Sequence, residues 1–148
     1  MITRSREGNQ ELAERLNAMG FEPISIDTLA FLPPLDWSLV DEALKGLSNF
    51  DWVIFTSATG VKFFVERMKA LHLPLPWIDK PRVAAVGEST SKALSEIGIP
   101  VGFIPSRYMT KSLGEELPSG EGKTALLLRA NIADPVLANL LHERGFTV

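Results

Sequence analysis

The chain has 148 residues, 45% of them hydrophobic and 22% charged, a formal net charge of −3 and no cysteine. Such a chain can bury a core without staples, and its lack of thiols excludes disulfides, thiolate metal sites and cysteine nucleophiles. With no apolar run near about 18 residues, no signal-peptide pattern and no basic excess, the composition argues against a membrane span, a secreted precursor and a nucleic-acid binder.

Residues 1–5, Met1-Ile2-Thr3-Arg4-Ser5, read as a short opening strand. Over 9–19, Leu12, Ala13, Leu16 and Met19 share one helical face, and Gly20 sits where a left-handed cap is expected. Residues 21–31 read as extended, ended by Pro33-Pro34. A second unit starts near Asp36. Val40, Leu44 and Leu47 predict a helix over 38–47, and Trp52-Val53-Ile54-Phe55 a buried strand. Val61, Phe64, Val65, Met68 and Leu71 repeat at helical spacing. A strand over 82–86 ends at Gly87, and a helix over 89–97 is capped by Gly98. A third strand over 101–104 ends at Pro105-Ser106, and Thr110 is the expected N-cap of a helix carrying Leu113 and Leu117. A fourth strand covers 123–128. Asp134-Pro135 opens a last helix carrying Leu137, Leu140 and Leu141 and stopping at Gly145. Strand and helix alternate throughout, which predicts a parallel α/β sheet covered on both faces.

In open parallel sheets, ligands bind beyond the carboxyl ends of the strands. Three small polar loops fall there: Thr56-Ser57-Ala58-Thr59-Gly60, Gly87-Glu88-Ser89-Thr90, and the stretch from Ser106 through Thr110 and Lys111. Each offers helix N-terminal N–H groups and hydroxyls to an anion, although the same hydroxyls can simply cap their helices. The first loop also looks like the hydroxyl-and-glycine loop that holds a flavin phosphate, but Lys62 stands where another hydroxyl is usual. His72 and His142 read as surface helix residues outside any metal cluster. Trp37, Trp52 and Trp77 read as packing anchors, Glu115-Glu116 as a solvent-facing pair, and Tyr108, the single tyrosine, as a loop-packing residue whose phenol could donate a proton. No Ser-His-Asp set can be assembled, and no catalytic residue is named.

Taken in order, these motifs make the chain resemble the uroporphyrinogen-III synthase (HemD-like) family. The likeness runs from Ile2-Thr3-Arg4 and the helix ending in Gly20 to Asp51 through Ser57, with Gly60-Val61. It continues through Ala85-Val86-Gly87, Thr90, Ala93-Leu94, Gly98, Pro105, Thr110 and Leu113, and closes on Leu126-Leu127-Leu128-Arg129 and Gly145. The resemblance implies a parallel, flavodoxin-like three-layer domain over 36–146. It also implies a partial second α/β domain over 1–30, a linker at 31–35 and the start of a return linker at 147–148. A family chain would cross back along the linker at this point. A tyrosine just beyond that crossing, credited with assisting loss of the hydroxyl, and most of one cleft wall would be absent, so the 148 residues are expected to be inactive as they stand.

The implied reaction is that of a cytoplasmic hydro-lyase of tetrapyrrole and heme biosynthesis. Hydroxymethylbilane loses water to an azafulvenium cation and closes, through a spiro intermediate, to uroporphyrinogen III with ring D inverted. That chemistry needs chiefly a surface that folds a flexible polycarboxylate and shields it from water. The expected donors are Thr56, Ser57, Gly87, Ser89, Thr90, Ser106 and Thr110, with Lys111, Arg129 and Arg4 as carboxylate partners. No cofactor, metal, nucleic acid or membrane is implied, and an incomplete first domain is expected to self-associate through Leu12, Leu16 and the second strand. The alternative is a non-catalytic flavodoxin-like module for flavin or another phosphate ligand. Residues 1–36 carry the whole net charge of −3, whereas 37–148 are balanced, so the charge does not disfavour a polycarboxylate.

Overall fold

The computed structural model describes residues 1–75 and 81–148, with backbone alone for 2–7 and 11. Trp77 lies outside the described residues. The chain divides into two compact units, Met1–Leu35 and Asp36–Val148.

In the first unit, β1 (Ile2–Ser5) leads directly into α1 (Arg6–Ala18) and then β2 (Ser25–Leu29), and the two strands pair in parallel. The helix starts at Arg6, ahead of the expected 9. Its first turn, Arg6-Glu7-Gly8, carries no large apolar residue and so lies outside the periodicity that marks the rest. Gly20, at φ +84°, ends the helix: Phe21 N–H reaches Leu16 O and Gly20 N–H reaches Asn17 O, the paired bonds of a left-handed close. Asn9, 2% exposed, ties α1 to β2 by donating from Nδ2 to Ile26 O and Asp27 Oδ1. Leu12 and Leu16 are half-buried rather than open because α1 lies against its own two strands, whereas every residue of β2 is exposed.

The second unit is a three-layer parallel α/β domain. Its strands β3 (Trp52–Phe55), β4 (Arg82–Ala85) and β5 (Ala125–Leu128) pair in the order β4-β3-β5. Parallel bridges add Phe103 beside Ala84 and Thr147 beside Thr124, one at each edge. Counted along the unit, the order is third, second, first, fourth, fifth, which reverses between β3 and β5. Helices α2 (Ser38–Lys45), α3 (Ala58–Ala70) and α4 (Glu88–Glu96) cover one face, and α5 (Thr110–Glu116) and α6 (Val136–Glu143) the other.

The pleat sorts β3 between them. Val53 and Phe55 pack with Leu44, Phe64, Met68 and Leu94, while Trp52 and Ile54 pack with Leu113, Leu117, Leu137 and Leu141. All four strand residues are buried, as a strand covered on both faces requires. Arg67 fastens α3 to α2, donating to both carboxylate oxygens of Asp41 at 2.6 and 2.5 Å while lying 4.5 Å from the Trp37 ring centroid. The pairing holds the Asp41 carboxyl below its ordinary value.

The strand expected over 101–104 shrinks to one bridge. Gly102 and Phe103 N–H both go to Val83 O, Ala85 N–H returns to Phe103 O, and Pro105 has no N–H with which to extend the ladder. Thr110 is the first helical residue of α5 and not its cap. Met109 takes the N-cap position and makes no side-chain cap bond. His72 lies just past α3 at φ +54°, in a turn rather than on a helix, whereas His142 is exposed on α6. No helix among the described residues is long and apolar enough to cross a membrane.

Candidate functional site

The register aligns Phe55 with Ala85 on one side and with Leu128 on the other. The segments leaving β3, β4 and β5 therefore emerge side by side at the carboxyl edge, where the strand order reverses. Thr56 and Ser57, Gly87 with the first turn of α4, and Arg129 are brought together there. This is where a doubly wound sheet forms its ligand crevice.

Their donors are differently committed. Ser57 is the N-cap of α3, and its hydroxyl accepts Gly60 N–H at 3.0 Å, so this loop is a cap before it is a cradle. Thr56 Oγ1 donates to Leu128 O at 3.4 Å, linking the ends of β3 and β5. Gly87 is the N-cap of α4 and makes no side-chain cap bond, which leaves the first N–H groups of that helix without a capping oxygen. Ser89 is exposed in the first turn, whereas Thr90 is 1% exposed and turned into the domain.

Arg129 lies at the end of β5, but its guanidinium holds the next loop, donating to Ala133 O at 3.2 Å and Asp134 O at 2.7 Å. Asp134 in turn accepts Val136 N–H at 2.8 Å, but the expected helix start is displaced by one residue: Pro135 takes the N-cap position of α6 and Val136 is its first helical residue. Thr110 and Lys111 are exposed on α5, and Lys111 lies 3.7 Å from Glu115 across one helical turn. Arg4 belongs to the first unit, and its side chain is outside the described residues.

One partnership escaped the sequence reading. Ser106 presents both its N–H and its hydroxyl to Glu116, each at 2.7 Å, so a carboxylate already occupies this pair of donors. The two bonds hold the Glu116 carboxyl below its ordinary value. Tyr108, in turn, lies on Gly87. A Cβ placed on that glycine would sit 3.1 Å from Tyr108 Cβ and 3.2 Å from Cγ. Gly87 is buried beneath the tyrosine, which itself remains 62% exposed. The isolated tyrosine in a donor loop was a visible signal; the Glu116 partnership had none.

A groove of about 240 Å³ runs between α2 and β5, walled by Leu39, Val40 and Ala43 and floored by Leu126 and Leu128. It shares only Arg129 with the donor set. Among the described residues, no group of three or more His, Asp or Glu could hold a metal ion.

The family model described as uroporphyrinogen-III synthase HemD matches residues 10–148. A uroporphyrinogen-III synthase of Synechococcus elongatus is 33% identical over 119 residues, covering 80% of this chain and 44% of that protein. The porphyrin biosynthesis protein HemD of Ruminiclostridium josui is 26% identical over 149 aligned residues, covering 98% and 29% respectively. A crystal structure of a mutant uroporphyrinogen III synthase from Thermus thermophilus superposes with a TM-score of 0.72 at 26% identity. That match covers 99% of this chain and 59% of the solved one. The chain thus spans about a third to three-fifths of the length of these proteins.

Proposed function

The chain belongs to the uroporphyrinogen-III synthase family, and from that premise we propose that its second unit binds hydroxymethylbilane at the carboxyl edge of β3, β4 and β5. In this reading the chain serves the cytoplasmic closure of that polycarboxylate to uroporphyrinogen III, with inversion of ring D and loss of water. The observation that carries it is the register, which sets the Thr56-Ser57 loop beside the Gly87 turn and beside Arg129 at the reversal of strand order.

The chemistry asks little of side-chain acids and bases. Once water leaves, the azafulvenium cation finds its nucleophile within the same molecule, so the protein's task is to fold the tetrapyrrole and keep bulk water away. Hydroxyls and the N–H groups opening α4 suit acetate and propionate groups without a cationic pocket. The balanced charge of residues 37–148 agrees with that mode of recognition. The open residues of β2 support self-association as part of the same reading.

The test has two readouts. Uroporphyrin III, a stable oxidised form of the product, should bind these 148 residues and quench their tryptophan fluorescence saturably. Chromatography then separates the isomers formed from hydroxymethylbilane. Type III above the spontaneous type I background assigns the whole reaction to this chain, and type I alone with binding limits it to recognition. No saturable binding overturns the proposal.

A further inference from the structure

We infer that Tyr108 is a substrate-contacting residue of this cleft, its ring packing on a pyrrole of the bound tetrapyrrole. The inference rests on the binding reading above and assigns a residue that the donor set leaves out. Three observations carry it. The root of the side chain is closely seated, because a Cβ at position 87 would crowd Tyr108 Cβ and Cγ at 3.1 and 3.2 Å, directly on the N-cap of α4. The residue nevertheless stays 62% exposed, so much of it is open to a ligand.

The loop is also held in place before any ligand arrives. Pro105 is buried, Ser106 is bonded twice to Glu116, and Met109 N–H closes onto Arg107 O at 2.7 Å. An aromatic side chain held in this way loses little freedom on binding, which favours contact with a flat, apolar ring carrying carboxylates at its rim. Gly87 is then a spacing residue. Its backbone is extended, at φ −169° and ψ 179°, so it is the absence of a Cβ and not the conformation that matters here.

Tyr108 is the only tyrosine, so 3-fluorotyrosine labelling of the full chain gives one 19F resonance. Titration with uroporphyrin III should move that resonance saturably, in step with the change in porphyrin fluorescence. Tyr108→Ala should weaken binding roughly tenfold, while Tyr108→Phe, which keeps the ring, should restore most of the affinity. Gly87→Ala, which pushes the root of the tyrosine by a few tenths of an ångström, should shift the free-state resonance. Circular dichroism on each variant confirms that the fold is retained. Saturable binding that leaves the 19F resonance unmoved and the Tyr108→Ala affinity unchanged overturns the assignment and leaves the binding reading standing. Absence of binding by the unsubstituted chain removes both.

Discussion

At Ser106 two donors converge on one carboxylate. Glu116 is the last residue of α5, where the helix dipole disfavours negative charge, and the Ser106 N–H and hydroxyl offset that penalty. Because the carboxyl is held below its ordinary value, the latch contributes fully above the unfolded pKa and is lost as pH falls through the depressed one. A 13C titration should therefore find Glu116 ionising below a free glutamate. The stability difference between the wild type and Glu116→Gln should be present at neutral pH and vanish in acid. Titration of Glu116 at an ordinary value would refute the latch. The sequence set Glu115 and Glu116 together as a solvent-facing pair, and both are exposed; the ion pair of Glu115 with Lys111 contributes little, whereas Glu116 is also bonded to Ser106. The partner of Glu116 lies ten residues earlier across an irregular turn, and no periodicity encodes such a contact.

Among elements, α5 and α6 meet more closely than their apolar pattern reveals. A Cβ on the buried Gly114 would lie 2.9 Å from Leu140 Cβ, 3.0 Å from Leu140 Cδ1 and 3.2 Å from Leu137 Cδ1. Gly114→Ala gains up to about 1 kcal/mol of helix propensity but overpacks the contact by about 1–3 kcal/mol, so the substitution should destabilise on balance. Urea unfolding should register the loss, and Leu140→Ala combined with it should cost less than the two changes added separately. Additive effects would place the two residues apart. Elements defined by burial were legible: Trp52–Phe55 falls within its expected bounds because four consecutive apolar residues between polar ends admit little else. The stretch around Phe103 was not, since whether an apolar run pairs for one residue or four depends on which N–H groups the neighbouring strand can meet. The donor loops share this limit. Their positions follow from strand ends, and the capping role of Ser57 was foreseen, but the prior commitments of Ser106 and Arg129 depend on how irregular loops fold back on themselves and on a helix end.

Across the whole chain, the two units are held together internally by different means. Both buried apolar clusters consist of residues from Asp36–Val148, whereas the buried residue identified in Met1–Leu35, among the described side chains, is the polar Asn9. Since burial of apolar surface supplies most of the folding free energy, the second unit should fold without the first. A chain of residues 36–148 should give a single urea transition with the midpoint of the main transition of the full protein. Its slope should be smaller only by the surface that residues 1–35 expose. An unfolded 36–148 chain would mean that the first unit supplies stability the second lacks. The same deletion removes all but one of the excess negative charges, because residues 1–35 carry three basic and five acidic side chains and Asp36 is the sixth acidic residue of the opening segment. If charge balance alone governed association, solubility would fall as stability is kept, since a chain near neutrality loses the self-repulsion that holds copies apart. Sedimentation at rising protein concentration distinguishes the contributions. If association follows the exposed apolar residues of β2, the full chain should associate and the 36–148 chain should not; if charge balance controls it, the order reverses.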